Sequence, residues 1–187
     1  RGLLWLKGNT LKKEIEFKPS FPGSWESVEV RNFRSGRDVF HFNLRRSMHG
    51  CVLEVEPQAY TPYLLHFSPG LGFGTRVTSV AVNGEQKEFS VEENNGFVRC
   101  LLLLEIKGKT QVEIKTENSV HIDLTPYFPR LGDQTSSLKI IRTEYTQDQL
   151  RILVEGWGGK EYGISLITSR LIASLSGAEV EDEEALK

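Results

Sequence analysis

Cysteine is scarce in this chain. Its two copies, Cys51 and Cys100, fall short of the set of bridges that staples small secreted domains, and no CxxC pair is present to begin a metal site. A chain of 187 residues can bury roughly 70% of its unfolded surface, so two buried free thiols are expected. Long apolar runs are also missing. The longest, Cys100 to Leu104, has five residues against the roughly 20 of a membrane-spanning helix. Neither sign of charge dominates: 23 Lys and Arg face 25 Asp and Glu. The acids concentrate in Gly177 to Lys187, net −4, which leaves the rest at +2 and gives no electrostatic ground for nucleic acid or an anionic membrane as partner. Residues 171–187 read as an acidic tail, disordered or helical. With 17 Gly and 7 Pro, collagen-like sequence and wholesale disorder are both excluded.

Catalytic signatures are lacking too. Glycoside hydrolysis needs two carboxylates facing one pocket. Glu54 and Glu56 are the tempting pair, but in an extended VLEVE segment they share one face with the pattern of a solvated strand. The histidines His41, His49, His66 and His121 form no HxxxH, and His121 with Asp123 reads as the polar side of an alternating strand. GxSxG is absent, and Gly163-Ile164-Ser165 lies inside a strand pattern. Ser68 to Gly74, with its three glycines, lacks the third GxGxxG position and reads as a surface loop. No catalytic residue, metal ligand or cofactor is assigned.

What the chain does have is alternation. In Val39 to Arg45, Phe40, Phe42 and Leu44 share one face while His41, Asn43 and Arg45 share the other, the signature of a half-buried strand. Eleven more segments read this way, among them Glu14 to Phe17, Val52 to Glu56, Val77 to Val82, Phe97 to Ile106, Val120 to Leu124 and Gln149 to Glu155. Asn83-Gly84 is a strong hairpin signal, because both central residues of a type I′ turn need positive φ. Many short strands with no long helical stretch between them point to a mostly β, antiparallel two-sheet sandwich over residues 9–170. Helices are expected only near the termini: Arg1 to Lys7, stopped by Gly8 and Asn9, and Thr168 to Ser176. Because the chain opens at Arg1 in the apolar block Leu3, Leu4, Trp5 and Leu6, residues 1–8 read as the end of a helix from a preceding domain. Tyr60, Tyr63 and Trp157 are the candidates for stacking on sugar rings.

The stretch from Gly2 to Arg46 is more specific than its periodicity. Through Gly2-Leu3-Leu4, Phe17, Pro19, Phe21, Pro22, Trp25, Val28, Val30, Asn32, Arg34 and Gly36, it resembles the segment that closes the (α/α)6 barrel of bacterial six-hairpin glycoside hydrolases of the glycogen-debranching, amylo-α-1,6-glucosidase-like group. Gly132-Asp133 and the run from Val154 to Tyr162 resemble a closing hairpin of C-terminal domains in such proteins. The resemblance implies a non-catalytic C-terminal accessory domain bracing the catalytic barrel of the same polypeptide, with the catalytic carboxylates in that barrel. Leu3, Leu4, Trp5, Leu6, Phe21 and Trp25 would then form the docking patch, since Pro22 sets an extended entry and Trp25 is large enough to plug a seam. The alternatives are a carbohydrate-binding module with a polysaccharide as partner, and a self-contained β-sandwich lyase or hydrolase.

Overall fold

The alternating segments pair as alternation requires. The computed structural model describes residues 3–59, 61–124, 137–146 and 148–180, and among these sixteen strands form and no helix. In chain order they are β1 (Leu6–Asn9), β2 (Glu14–Phe17), β3 (Ser27–Ser35), β4 (Asp38–Ser47), β5 (Gly50–Gln58), β6 (Tyr63–Phe67), β7 (Gly70–Phe73) and β8 (Arg76–Val82). There follow β9 (Glu85–Gln86), β10 (Ser90–Asn94), β11 (Phe97–Ile106), β12 (Thr110–Glu117), β13 (Val120–Leu124), β14 (Lys139–Thr146), β15 (Gln149–Glu155) and β16 (Ile164–Thr168). One sheet runs β3-β4-β5-β12-β8-β9, and a larger one runs β1-β2-β6-β11-β7-β13-β16 with β10 also on β11. The β14–β15 hairpin is a third, two-stranded sheet.

The two large sheets close over one core, in a sandwich-like arrangement. Phe40, Phe42, Leu44, Leu53, Val55, Val112 and Ile114 from the first meet Ile15, Phe17, Leu65, Phe67, Leu102, Leu104 and Ile106 from the second. Aromatic rings cross the seam directly. Phe17 lies 5.3 Å from Phe42, and Phe40 meets Tyr63 edge-on at 4.8 Å, spacings that add to simple burial. Cys51 and Cys100 are free and buried, and burial pushes both thiols up to about 12, so neither is a nucleophile at neutral pH.

Three expectations are corrected. No helix forms over Leu3 to Lys7, the described part of the first helical expectation. Leu4 and Leu6 pack against the core while Leu3 and Lys7 are exposed, a period of two, and the Leu3 and Trp5 carbonyls accept from Ser20 and Lys18 at 2.8 and 3.1 Å. So short a segment cannot hold a helix alone, and a neighbouring strand offers it better partners. Thr168 to Ser176 likewise forms no helix: Thr168 ends β16, and no regular element follows it to residue 180.

Nor is Ser68 to Gly74 a surface loop. Ser68, Pro69, Leu71 and Gly72 are buried, and β7 pairs with β11. A β-carbon at Gly70 would lie 2.8 Å from the Phe97 ring, and one at Gly72 (φ 104°) would lie 2.8 Å from His121 Cε1. These glycines allow close packing, which a loop reading of them misses. The third correction concerns direction. Strand β2 runs parallel to β6, Glu14 opposite Leu64 and Phe17 opposite Phe67, so the larger sheet is mixed and not purely antiparallel.

The Asn83-Gly84 hairpin forms as expected, with φ of 51° and 87° and Val82 opposite Glu85. A β-carbon at Gly84 would meet nothing within 4 Å, so only backbone conformation opposes a larger residue there. Gly84→Val is expected to cost about 1–2 kcal/mol, and an unchanged urea midpoint would refute the turn's role.

Candidate functional site

The stretch from Pro19 to Trp25 crosses from β2 to β3 with two prolines, which cannot serve as ladder donors. It forms a tight turn in which the Trp25 amide donates to the Pro22 carbonyl at 3.2 Å. Phe21 tucks against the core, and the Trp25 ring stacks on Phe21 at 6.3 Å and 28°. Trp25 nevertheless stays 46% exposed, and Leu3, whose carbonyl holds the Ser20 amide, is 52% exposed. This is an apolar anchor on a fixed base.

Two side chains from elsewhere in the fold fix it. Arg46, near the end of β4, donates to the Pro22 carbonyl at 2.5 Å and to the Phe21 carbonyl at 3.4 Å, with its guanidinium 4.9 Å from the Phe21 ring centre. Asp123 on β13 accepts from the Gly23 and Ser24 amides at 2.6 and 2.7 Å. Burial works to raise the Asp123 pKa, but the bonds from Ser24 and Gly23 and the nearby Arg46 charge hold it below the usual carboxylate range. His121, two residues earlier on β13, lies under the turn: a β-carbon at Gly23 would sit 2.7 Å from His121 Cβ. Burial, with Arg46 adding to it and Asp123 opposing, takes the His121 pKa down to about 4, so the ring is neutral at pH 7.

The docking residues read from the sequence therefore divide. Leu4, Leu6 and Phe21 belong to the edge of the core, while Leu3 and Trp25 face outward. Trp5 takes a third position. Its φ is 37°, its indole N–H donates to Glu16 at 3.0 Å, and Lys7 Nζ lies 5.2 Å from its ring centre, so it is tied down on the sheet's outer face.

The sugar-stacking candidates are not brought together. Tyr63 is 1% exposed, which leaves no ring face for a sugar. Trp157 is 55% exposed in the loop after β15, its amide donating to the Tyr162 hydroxyl at 2.8 Å. Tyr60, and with it Gly132-Asp133, lies outside the described residues. Glu54 pairs with Arg45 at 2.5 Å and Glu56 with Lys109 at 2.7 Å, so each carboxylate is occupied by a cation on the sheet's outer face. Among the described residues, no three His, Cys, Asp or Glu side chains gather as a metal site.

Two other polar clusters hold turns together. Tyr63 donates to Asp38 at 2.8 Å, and Lys13 reaches the same carboxylate at 2.9 Å, tying the β1–β2 turn to the β3–β4 turn. The bond to Asp38, then that to Tyr63, raises the Lys13 pKa. At the tip of the β14–β15 hairpin, Asp148 accepts from Tyr145 at 3.0 Å and from Arg170 at 2.7 Å. Tyr145 there packs onto Gly74 and Gly96, both at positive φ and each in a position where a β-carbon would overlap it.

The Arg46, His121 and Asp123 cluster is missed by reading strands one at a time. In Val120 to Leu124 the alternation assigns His121 and Asp123 to solvent, whereas a turn about 100 residues earlier covers them. Gly23 is the local signal: only a residue without a β-carbon lets a turn lie so close to a strand. No protein-family model matches the chain, and no curated protein matches it.

Proposed function

We propose that the chain is a non-catalytic accessory domain that braces the catalytic (α/α)6 barrel of a glycoside hydrolase within one polypeptide. The observation that carries this reading is the anchor of Leu3, Phe21 and Trp25. Tryptophan left nearly half exposed on a turn with rigid polar supports has the character of an interface anchor, where a large ring is presented without loss of conformational freedom on docking. The anchor lies in the segment whose residues resemble the barrel-closing stretch of six-hairpin enzymes. Burial of Tyr63 weighs against the alternative of a carbohydrate-binding module built on Tyr60, Tyr63 and Trp157.

The test is made on the chain itself. A Leu3→Ser, Trp25→Ser double variant is expected to bind a hydrophobic dye less than the parent and to self-associate less, with only a small fall in thermal midpoint, because about half of each side chain already faces water. Unaltered dye binding and association would overturn the bracing reading. Affinity electrophoresis in glycogen or starch is expected to show no retardation; retardation abolished by Trp157→Ala would replace bracing with carbohydrate binding.

A further inference from the structure

The anchor turn is seated on a titratable side chain. Gly23 packs on His121, whose ring lies against Gly72 of β7: a β-carbon at Gly72 would be 2.8 Å from Cε1 and 3.1 Å from Nε2. The charged group facing the ring from β4 is Arg46, and from its own strand Asp123. Cys51 of β5 is the further titratable neighbour of Arg46, and it stays a neutral thiol. Across the strand pair, His121 stands opposite Ile167 of β16, which adds no charge.

We propose that the Arg46, His121 and Asp123 seat is an acid-sensitive latch, which holds the Phe21 to Trp25 turn in place at neutral pH and releases it as His121 takes up a proton. The reasoning is one of linkage. Lifting the turn takes away the cover that Gly23 gives His121, and the pKa moves from about 4 in the seated state toward the ordinary 6.5. A group whose pKa is lowered in the closed state contributes its stabilisation in full above pH 6.5 and loses it progressively as pH falls toward 4. Burial is the main reason the closed state resists the proton, and Arg46 adds to it, since a second cation beside it would be repelled while it continues to hold the Phe21 and Pro22 carbonyls. Asp123 opposes this, and its lowered pKa keeps it ionised across the same range. Use of the latch to release a neighbouring domain rests on the bracing reading; the latch itself does not.

Amide hydrogen exchange at Gly23 and Ser24, the two donors to Asp123, reports the opening. After correction for the intrinsic rate, opening is expected to rise several-fold from pH 8 to pH 5, up to the roughly 30-fold set by the full span between the two pKa values. In His121→Gln the pH dependence should vanish. Opening that is flat in the parent, or that still rises in His121→Gln, overturns the latch, the second result assigning the effect to Asp123. If that variant fails to fold, the imidazole proton shifts of the parent decide: no midpoint above pH 5 is expected, and a midpoint near 6.5 overturns the proposal. The exchange result is independent of the dye-binding result at Leu3 and Trp25, so failure of the latch and failure of the bracing reading are separate outcomes.

Discussion

Replacing Gly50 with alanine is expected to destabilise the protein by about 3 kcal/mol or more, because positive φ and overpacking each cost about 1–3 kcal/mol. Gly50 opens β5 at φ 139° and stands opposite Lys115 of β12. A β-carbon there would overlap the Ile114 carbonyl oxygen, and it would come within 3.1 Å of the Lys115 α-carbon. Both obstacles are backbone, so no side chain can swing away. The two strands would have to part where the His49 carbonyl accepts from the Thr116 amide at 2.8 Å. Gly108→Ala is the matched control. A β-carbon at Gly108 would meet nothing within 4 Å, and its effect should stay within about 0.5 kcal/mol. Urea unfolding of both variants measures the difference, and equal midpoints would refute the close approach of β5 and β12.

The second large effect is expected at Asp38. Its side chain is 5% exposed and accepts from the Tyr63 hydroxyl and from Lys13. Hydrogen bonds to a charged group contribute about 1.5–3 kcal/mol each. Asp38→Ala is therefore expected to cost about 3 kcal/mol, less than the sum, since the Tyr63 hydroxyl can turn its proton to the Ser35 carbonyl 3.2 Å away and Lys13, 39% exposed, recovers water. Tyr63→Phe removes one bond to the same carboxylate and leaves Lys13 in place, so it should cost about 1.5 kcal/mol. Reversal of that order in thermal or urea unfolding would show that Asp38 is not the centre of the network.

Alternation was legible in many strands, both those with one face on the core and the exposed Gln149–Glu155. Glu14–Phe17, Phe97–Ile106, Val120–Leu124 and Gln149–Glu155 form over the residues the pattern marks. Tyr63–Phe67 was harder. Its Leu64 and His66 on the outer side are partly covered, and the tyrosine-rich approach to it reads as loop. The glycines misled for the opposite reason. A glycine cluster in sequence suggests freedom, yet Gly70 and Gly72 mark where Phe97 and His121 press against backbone. Phe21 and Trp25 stand out in the sequence through the resemblance their segment carries, with Pro22 beside them as the local reason. Their supports do not, because Arg46 and Asp123 arrive from β4 and β13 through contacts that no local pattern encodes.

The parallel pairing of β2 with β6 also sets an order of events during synthesis. An antiparallel hairpin can close as soon as its second strand exists, but a parallel pair must wait for a crossover to be made. Here the crossover contains β3, β4 and β5, so Ile15 and Phe17 emerge well before Leu65 and Phe67, the residues beside them in the sheet. Contacts this distant along the chain form slowly, because the intervening loop must first be closed. The segment bearing Phe21 and Trp25 thus leaves the ribosome about 100 residues ahead of Asp123 and reaches its final seat only after Asp123 has been added. Until then its apolar side chains stay available to whatever is near, a nascent neighbour included.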